Sequence, residues 1–265
     1  MIFELHDLFW SYDSDTPFQK VGLNTPSFSV SAGNLVGILG ATGSGKSTFA
    51  KLIAGLLDSK IRITYNGVSL VPVEVSYVFQ QPEHQLFEDT VSAELEFALK
   101  NFNISETLWP RLISNSLKCC GLDKSFLGRH PLELSGGEKR RVAIASVLVY
   151  EPKILILDEP LAGIDAHCSR KLINMMRSYV GSETVVFWVS HDHEALLEWA
   201  DMALLFEDQC LKHKGSVLES IAFCNVADPL LRNFLNKRVK DCASISGREV
   251  VQELRVDNNA NSLQD

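Results

Sequence analysis

The chain has 265 residues, 46% of them hydrophobic, enough for one large α/β domain or a main domain with a smaller appendage, and for a core that needs no disulfide framework. A net charge of −8 denies it the electrostatic footprint of a non-specific nucleic-acid binder, and its apolar runs are far too short to span a bilayer. The N-terminus lacks the charged start and long apolar core of a signal peptide, and the six cysteines show no metal-ligand spacing, so a soluble intracellular protein with reduced thiols is expected.

In chain order, Phe3, Leu5 and Leu8, then Phe28 and Val30, alternate as strands do around a polar turn at Ser11 to Asp15. Tyr12 in that turn has two readings, a half-buried aromatic or the ring on which a nucleotide base stacks. The run Leu35 to Leu39 is a buried strand, and Phe49, Leu52, Ile53 and Leu56 recur at helical spacing. Between strand and helix lies Gly40-Ala41-Thr42-Gly43-Ser44-Gly45-Lys46-Ser47-Thr48, a phosphate-binding loop in the context that gives the motif its meaning. Its glycines let the backbone aim several N–H groups inward, and the start of the helix adds partial positive charge. Lys46 would reach the β- and γ-phosphates, the Ser47 hydroxyl would ligate Mg²⁺, and Thr48 would support a phosphate oxygen.

From Ile61 to Gln80 the pattern is again strand-like, with Asn66-Gly67 as a hairpin turn and Val75, Tyr77 and Phe79 alternating. Pro82 ends the run and leaves Gln80 at the C-terminal end of a strand, although a glutamine near a proline is also common in loops. Residues 90 to 150 then read as helices, with Val91, Leu95, Ala98, Leu99 and Phe102 on one stripe and Leu108, Leu112, Ile113 and Leu117 on another. Pro110 falls in the first turn of the second helix, where it is tolerated. At the end of this insertion Ser135-Gly136-Gly137-Glu138 forms a capping box before another helix. That is either an ordinary helix start or a second amide-rich anion surface, one that presents itself to another molecule's nucleotide.

Ile154 to Leu157 is a strand apolar on both faces, and Asp158-Glu159 follows. Two adjacent acids at such a strand end are costly unless something positive needs them. Asp158 would hold Mg²⁺ through water, and Glu159 would orient or deprotonate the attacking water. Asp165 is the expected N-cap of the next helix. Thr184 to Val189 is a further buried strand, ending in Ser190-His191. The phosphate loop, Gln80, the acid pair and His191 thus end four strands, and the C-terminal ends of such strands form one site. Met202 to Phe206 and Cys210 to Lys214 read as edge strands around a turn at Asp208-Gln209. A short helix near Pro229 to Leu235 and a disordered polar tail are expected after them.

With these residues in hand, the chain resembles the ATPase subunits of ATP-binding cassette (ABC) transporters over residues 1 to 220. The resemblance rests on Walker A (Gly40 to Thr48), the Q-loop glutamine (Gln80), the signature (Leu134 to Glu138), Walker B (Ile154 to Glu159), the D-loop (Asp165) and the switch histidine (His191), all in order. It implies a P-loop NTPase α/β core with an N-terminal antiparallel β subdomain, an inserted helical subdomain at about 90 to 150, and a small extension from 221 to 265. It also implies ATP and Mg²⁺ as cofactors, with Gln80 beside Ser47 and Asp158 at the metal. In that family two cassettes pair head to tail, so each ATP lies between one subunit's Walker A and the other's Ser135, Gly136 and Gly137. The segments Tyr77 to Phe87 and Glu138 to Ala145 are similar to the energy-coupling factor and cobalt-type importer ATPases. Those act with a second ATPase, identical or paralogous, a transmembrane coupling subunit and a membrane subunit that captures a vitamin or transition-metal ion. A peripheral place on the cytoplasmic membrane face follows. The sequence departs from the family pattern at Glu138, usually Gln, at Ala41, often Pro or His, and at Ala166, often Pro. The other readings are a different transporter class or a nucleotide-gated ABC protein with little turnover. Intact Lys46, Glu159 and His191 argue against the latter.

Overall fold

The computed structural model describes residues 2–6, 8–12, 20–57, 62–65, 68–69, 74–163, 166–181 and 183–223. The chain divides into compact units Met1–Ser220 and Ile221–Asp265, and the architecture below is that of the first. The expected helix near Pro229 and the polar tail lie outside the described residues.

The N-terminal strands are β1 (Ile2–His6), β2 (Leu8–Tyr12), β3 (Lys20–Thr25), β4 (Phe28–Ser31) and β5 (Asn34–Leu39), followed by helix α1 (Lys46–Ile53). Next come β6 (Arg62–Tyr65), β7 (Val68–Ser69) and β8 (Val75–Val78), then the helical stretch α2 (Val91–Asn101), α3 (Trp109–Cys119) and α4 (Gly136–Leu148). The remainder alternates: β9 (Ile154–Asp158), α5 (Ala166–Tyr179), β10 (Val185–Val189), α6 (His193–Trp199), β11 (Met202–Glu207), β12 (Cys210–Gly215) and α7 (Val217–Phe223).

Two sheets result. One is antiparallel in the order β4-β1-β6-β7; the other has eight strands in the order β2-β3-β12-β11-β5-β10-β9-β8. Its centre, β11 to β8, is parallel throughout, and β10 and the first four residues of β9 are apolar and buried because both faces are covered. Helix α1 packs between the sheets. Phe49 on it meets Phe206 at 4.7 Å and Phe187 at 6.3 Å in one sheet, and Phe28 at 6.0 Å in the other. This packing fixes the helix whose start forms the phosphate loop.

Two expectations are corrected. β11 is no edge strand: it lies between β5 and β12, and Ala203 to Phe206 are fully buried, the two-faced burial that a continuous apolar run signals. β12 is interior as well, bonded to β11 and, at Cys210 and Asn24, to β3. Leu108 is 43% exposed rather than part of the apolar stripe, because α3 begins one residue later and Leu108 belongs to the preceding 3-10 turn. Leu112, Ile113 and Leu117 are buried as the periodicity requires.

Candidate nucleotide site

The loop between β5 and α1 can be built only with glycine at two positions. Gly40 has φ +143°, and a Cβ there would fall 2.2 Å from the Phe206 carbonyl oxygen; Gly45 has φ +105°, and its Cβ would fall 2.8 Å from Leu23 Cδ1. Among the described residues no side chain caps α1, and its first turn holds no acid, so the amides at its N-terminus remain for an anion. The Ser44 hydroxyl is buried in the loop without a hydrogen-bond partner. Lys46 is 5% exposed and folds back over the loop, its Nζ donating to the carbonyls of Gly40 at 2.7 Å and Ala41 at 2.9 Å. Burial lowers its pKa, and the charges of Glu159 and Asp158 oppose that shift. Thr42, Gly43 and Ser47 are exposed and Thr48 is partly so.

Asp158 ends β9, with Oδ2 accepting a 2.5 Å hydrogen bond from the Tyr77 hydroxyl. Burial, then that bond, pushes the Tyr77 pKa far up, so the phenol is a constant donor. Glu159 follows with φ +49°, a left-handed backbone that is costly for a residue with a Cβ; its N–H donates to the Val189 carbonyl at 3.0 Å, tying the turn to β10. The Ser190 hydroxyl donates to its Oε2 at 3.5 Å, His191 Nε2 lies 3.6 Å from Oε1, and Oε1 is buried without a hydrogen bond. Burial first and Asp158 second raise the Glu159 pKa, against the His191 backbone N–H, Lys46 and the Ser190 hydroxyl. His191 moves down through burial and the Lys46 charge, with Asp158 opposing. Lys46, Asp158, Glu159 and His191 therefore share one electrostatic site, and its carboxylate is made more basic than an ordinary glutamate.

Gln80 is exposed, two residues beyond β8. Its carbonyl accepts from Arg140 Nη2, while Arg140 Nη1 donates to Ala162 at 3.1 Å. The same guanidinium, 7% exposed, presents Nε to Glu83 Oε2 at 3.8 Å, and both atoms are buried without a hydrogen bond. Glu94 on α2 holds the far end of this segment by accepting from the Phe87 and Glu88 amides, both at 3.0 Å. At the start of α4 the capping box is present: Glu138 Oε2 accepts from the Ser135 amide at 2.8 Å and its hydroxyl at 2.7 Å. The Ser135 bonds pull the Glu138 pKa down, and Arg129 lies 3.6 Å away. Gly136 is exposed and Gly137 partly exposed, open to a ligand from outside. The described polar contacts of Ser135 and Glu138 lie within the helical segment and do not reach the phosphate loop of the same chain.

The sequence pattern of the ABC transporter family matches residues 23–162. The chain belongs to the ABC transporter family. It is 38% identical over 226 residues to the energy-coupling factor transporter ATP-binding protein EcfA2 of Lactobacillus johnsonii, covering 80% of this chain and 78% of that one. A second EcfA2, from Clostridium perfringens, is 35% identical over 231 residues, 83% of this chain and 81% of the relative. Among solved structures, cbiO1 of Clostridium perfringens, described as part of the ABC transporter complex cbiONQ, has a TM-score of 0.70 at 26% identity, over 88% of this chain and 98% of that chain.

As an ABC ATPase, the chain binds ATP, and two of its motif residues fall outside what is described. Asp165 lies outside the described residues, and Tyr12 is described only as backbone at the end of β2, not its side chain. The oxygen donors fit Mg²⁺: an exposed Ser47 hydroxyl, the exposed Gln80 amide and the Asp158 carboxylate are hard ligands of the kind this ion takes beside phosphates. Sequence reasoning missed four residues. Tyr77 reads from the sequence as an alternating strand residue, and Arg140 stands there only within the segment Glu138 to Ala145. Ser190 was passed over for His191. Gln209 was read as a turn, yet its N–H donates to the Ser44 carbonyl at 3.1 Å and its Nε2 to Gly43 at 3.3 Å, bracing the phosphate loop. Only the Asp208-Gln209 turn itself was visible, and both residues have positive φ.

Proposed function

We propose that the chain is the ATP-hydrolysing subunit of an energy-coupling factor type importer, the membrane partners being a transmembrane coupling subunit and a capture subunit for a vitamin or transition-metal ion. The observation that carries the hydrolytic reading is the grouping of buried Lys46, a Glu159 made more basic by burial, and neutral-tending His191 around one anion-binding loop. On nucleotide entry Lys46 exchanges the carbonyls of Gly40 and Ala41 for phosphate oxygens, and the α1 amides and Ser44 hydroxyl bind the triphosphate. Glu159 takes a proton from a water whose oxygen attacks the γ-phosphorus; the bond to the β–γ bridging oxygen breaks, leaving ADP and phosphate. His191, 3.6 Å from Glu159, orients that carboxylate. Ser47, Gln80 and Asp158 would hold Mg²⁺, which would neutralise phosphate charge there.

The exposed start of α4, unconnected to its own phosphate loop, supports a site completed by Ser135, Gly136 and Gly137 of a second ATPase, with Asp165 and Tyr12 in the family's positions. Residues 1 to 220 form the nucleotide-binding domain on this reading, with 90 to 150 as its helical subdomain and 221 to 265 as an extension. Among the described residues no helix is long and apolar enough to cross a membrane. Phe87, 63% exposed, stacks edge-on against exposed Phe97 at 4.7 Å beside the Gln80 segment, an apolar surface suited to a membrane subunit on the cytoplasmic face. The test is phosphate release by the purified protein, alone and with a paired ATPase, together with recovery from native membranes. ATP binding without turnover in either state would instead favour a nucleotide-gated regulator, and isolation with no integral membrane partner would overturn the transport assignment.

A further inference from the structure

Tyr77 is the strand residue that the hydrolytic reading does not use. β8 and β9 run parallel with Tyr77 beside Ile156 and Val78 beside Leu157, and side chains alternate along a strand, so Tyr77, Ile156 and Asp158 share one face of the sheet. Tyr77 and Ile156 belong to the hydrophobic core, and the Tyr77 ring also meets Phe79 edge-on at 4.7 Å. Packing thus holds the ring, leaving the hydroxyl as its polar end, 2.5 Å from Oδ2 of Asp158. A carboxylate has two oxygens, and with Oδ2 held from the strand side Oδ1 is the one left for what the site binds. The same bond locks β8, which leads to Gln80, against β9, which delivers Asp158.

We propose that Tyr77 is a positioning residue for the divalent cation: by occupying Oδ2 it fixes the Asp158 carboxylate so that Oδ1 receives a cation-bound water, and it aligns Gln80 with that carboxylate. The inference rests on the reading of Asp158 as the metal-side acid. Partners that orient a metal-binding carboxylate typically change metal affinity by about 10- to 100-fold when removed. Because Asp158 acts through water, the lower end applies.

The test is Mn²⁺ titration of the intact protein with a non-hydrolysable ATP analogue, read by loss of the free-ion paramagnetic resonance signal, for wild type, Tyr77→Phe and Asp158→Asn. Tyr77→Phe keeps the packed ring and loses only the hydroxyl. Mn²⁺ affinity is expected to fall roughly 10-fold, with metal-free binding of the analogue unchanged and the Mg²⁺ requirement for phosphate release shifted upward in parallel. A merely structural hydroxyl would move the melting temperature and leave the Mn²⁺ titration where it was. Unchanged or tighter Mn²⁺ binding in Tyr77→Phe, when Asp158→Asn weakens it, overturns the role of Tyr77. Unchanged binding in Asp158→Asn overturns the metal-side reading of Asp158 itself, and with it the proposal.

Discussion

Replacing Arg140 by Met tests whether the helical segment and the Gln80 segment are joined through one buried cation. The guanidinium makes charged hydrogen bonds to the carbonyls of Gln80 and Ala162 and faces the Glu83 carboxylate at 3.8 Å. Such bonds contribute about 1.5–3 kcal/mol each, at the low end when the freed carbonyl can be rehydrated, as exposed Gln80 and partly exposed Ala162 can. Breaking a fully buried ion pair costs roughly 3–5 kcal/mol, but Glu83 retains 23% exposure, so only part of that applies. A net loss of about 3–4 kcal/mol follows, and at about 2–4 °C per kcal/mol for a domain of this size the melting point should drop by roughly 10 °C. Urea unfolding of the nucleotide-free protein measures it, and Glu83→Gln closes a double-mutant cycle. The double variant should be about 1–2 kcal/mol more stable than the sum of the single losses predicts, because Arg140→Met no longer strands a charge. Since no described contact joins Arg140 to the phosphate loop, metal-free ATP binding there should be unchanged, while the Mg²⁺-dependent part should weaken because Arg140 holds the Gln80 segment. An Arg140→Met protein within about 1 kcal/mol of wild type, or a cycle without coupling, would refute the interlock.

Glu159→Gln should retain ATP binding and lose hydrolysis by about 10²- to 10⁴-fold in single-turnover assays; near-normal turnover removes Glu159 from the mechanism. The same variant should melt higher than wild type at neutral pH. The folded-state pKa of Glu159 is raised, so the fold loses stability as pH climbs from the ordinary carboxylate value through the raised one, and glutamine carries no such loss. Because the base must be ionised, the acid limb of kcat/KM, which reports the free enzyme, should lie above the normal glutamate range; a limb at or below that range contradicts the raised pKa. His191 has a lowered pKa, so its contribution to stability is present above the ordinary histidine value and declines as pH falls below it; His191→Gln should flatten that part of a stability–pH curve. Gly45→Ala meets both a positive φ and Leu23, and equilibrium binding should show ATP affinity reduced by about tenfold or more, matching a loop strain of roughly 1–3 kcal/mol.

How far the sequence could be read depended on the range of the interaction. Lys46, Asp158, Glu159 and His191 were legible because each ends an apolar run or opens a helix, and a polar group at such a place has a local chemical reason. The helices α2 to α4 were legible through their stripes, apart from Leu108, where one residue of doubt in the helix start decides which way a side chain faces. The order of the strands was not legible, since β5 pairs with β10 and β11, both more than a hundred residues away, and nothing local records that. For the same reason Arg140, Tyr77 and Gln209 looked like ordinary members of their segments. Their partners lie 60, 81 and 166 residues off in sequence, and only the packed sheet brings them together.

The long-range partners have a common place in the site. Glu159 has a left-handed backbone, its Oε1 and the Ser44 hydroxyl are buried without a hydrogen bond, and Lys46 donates to two carbonyls of the loop. Tyr77 holds Asp158, Ser190 bonds Glu159, and Gln209 bonds the Ser44 and Gly43 carbonyls of the phosphate loop, all from neighbouring strands and turns. Residues of no motif thus hold the motif residues in place through contacts that only the fold creates.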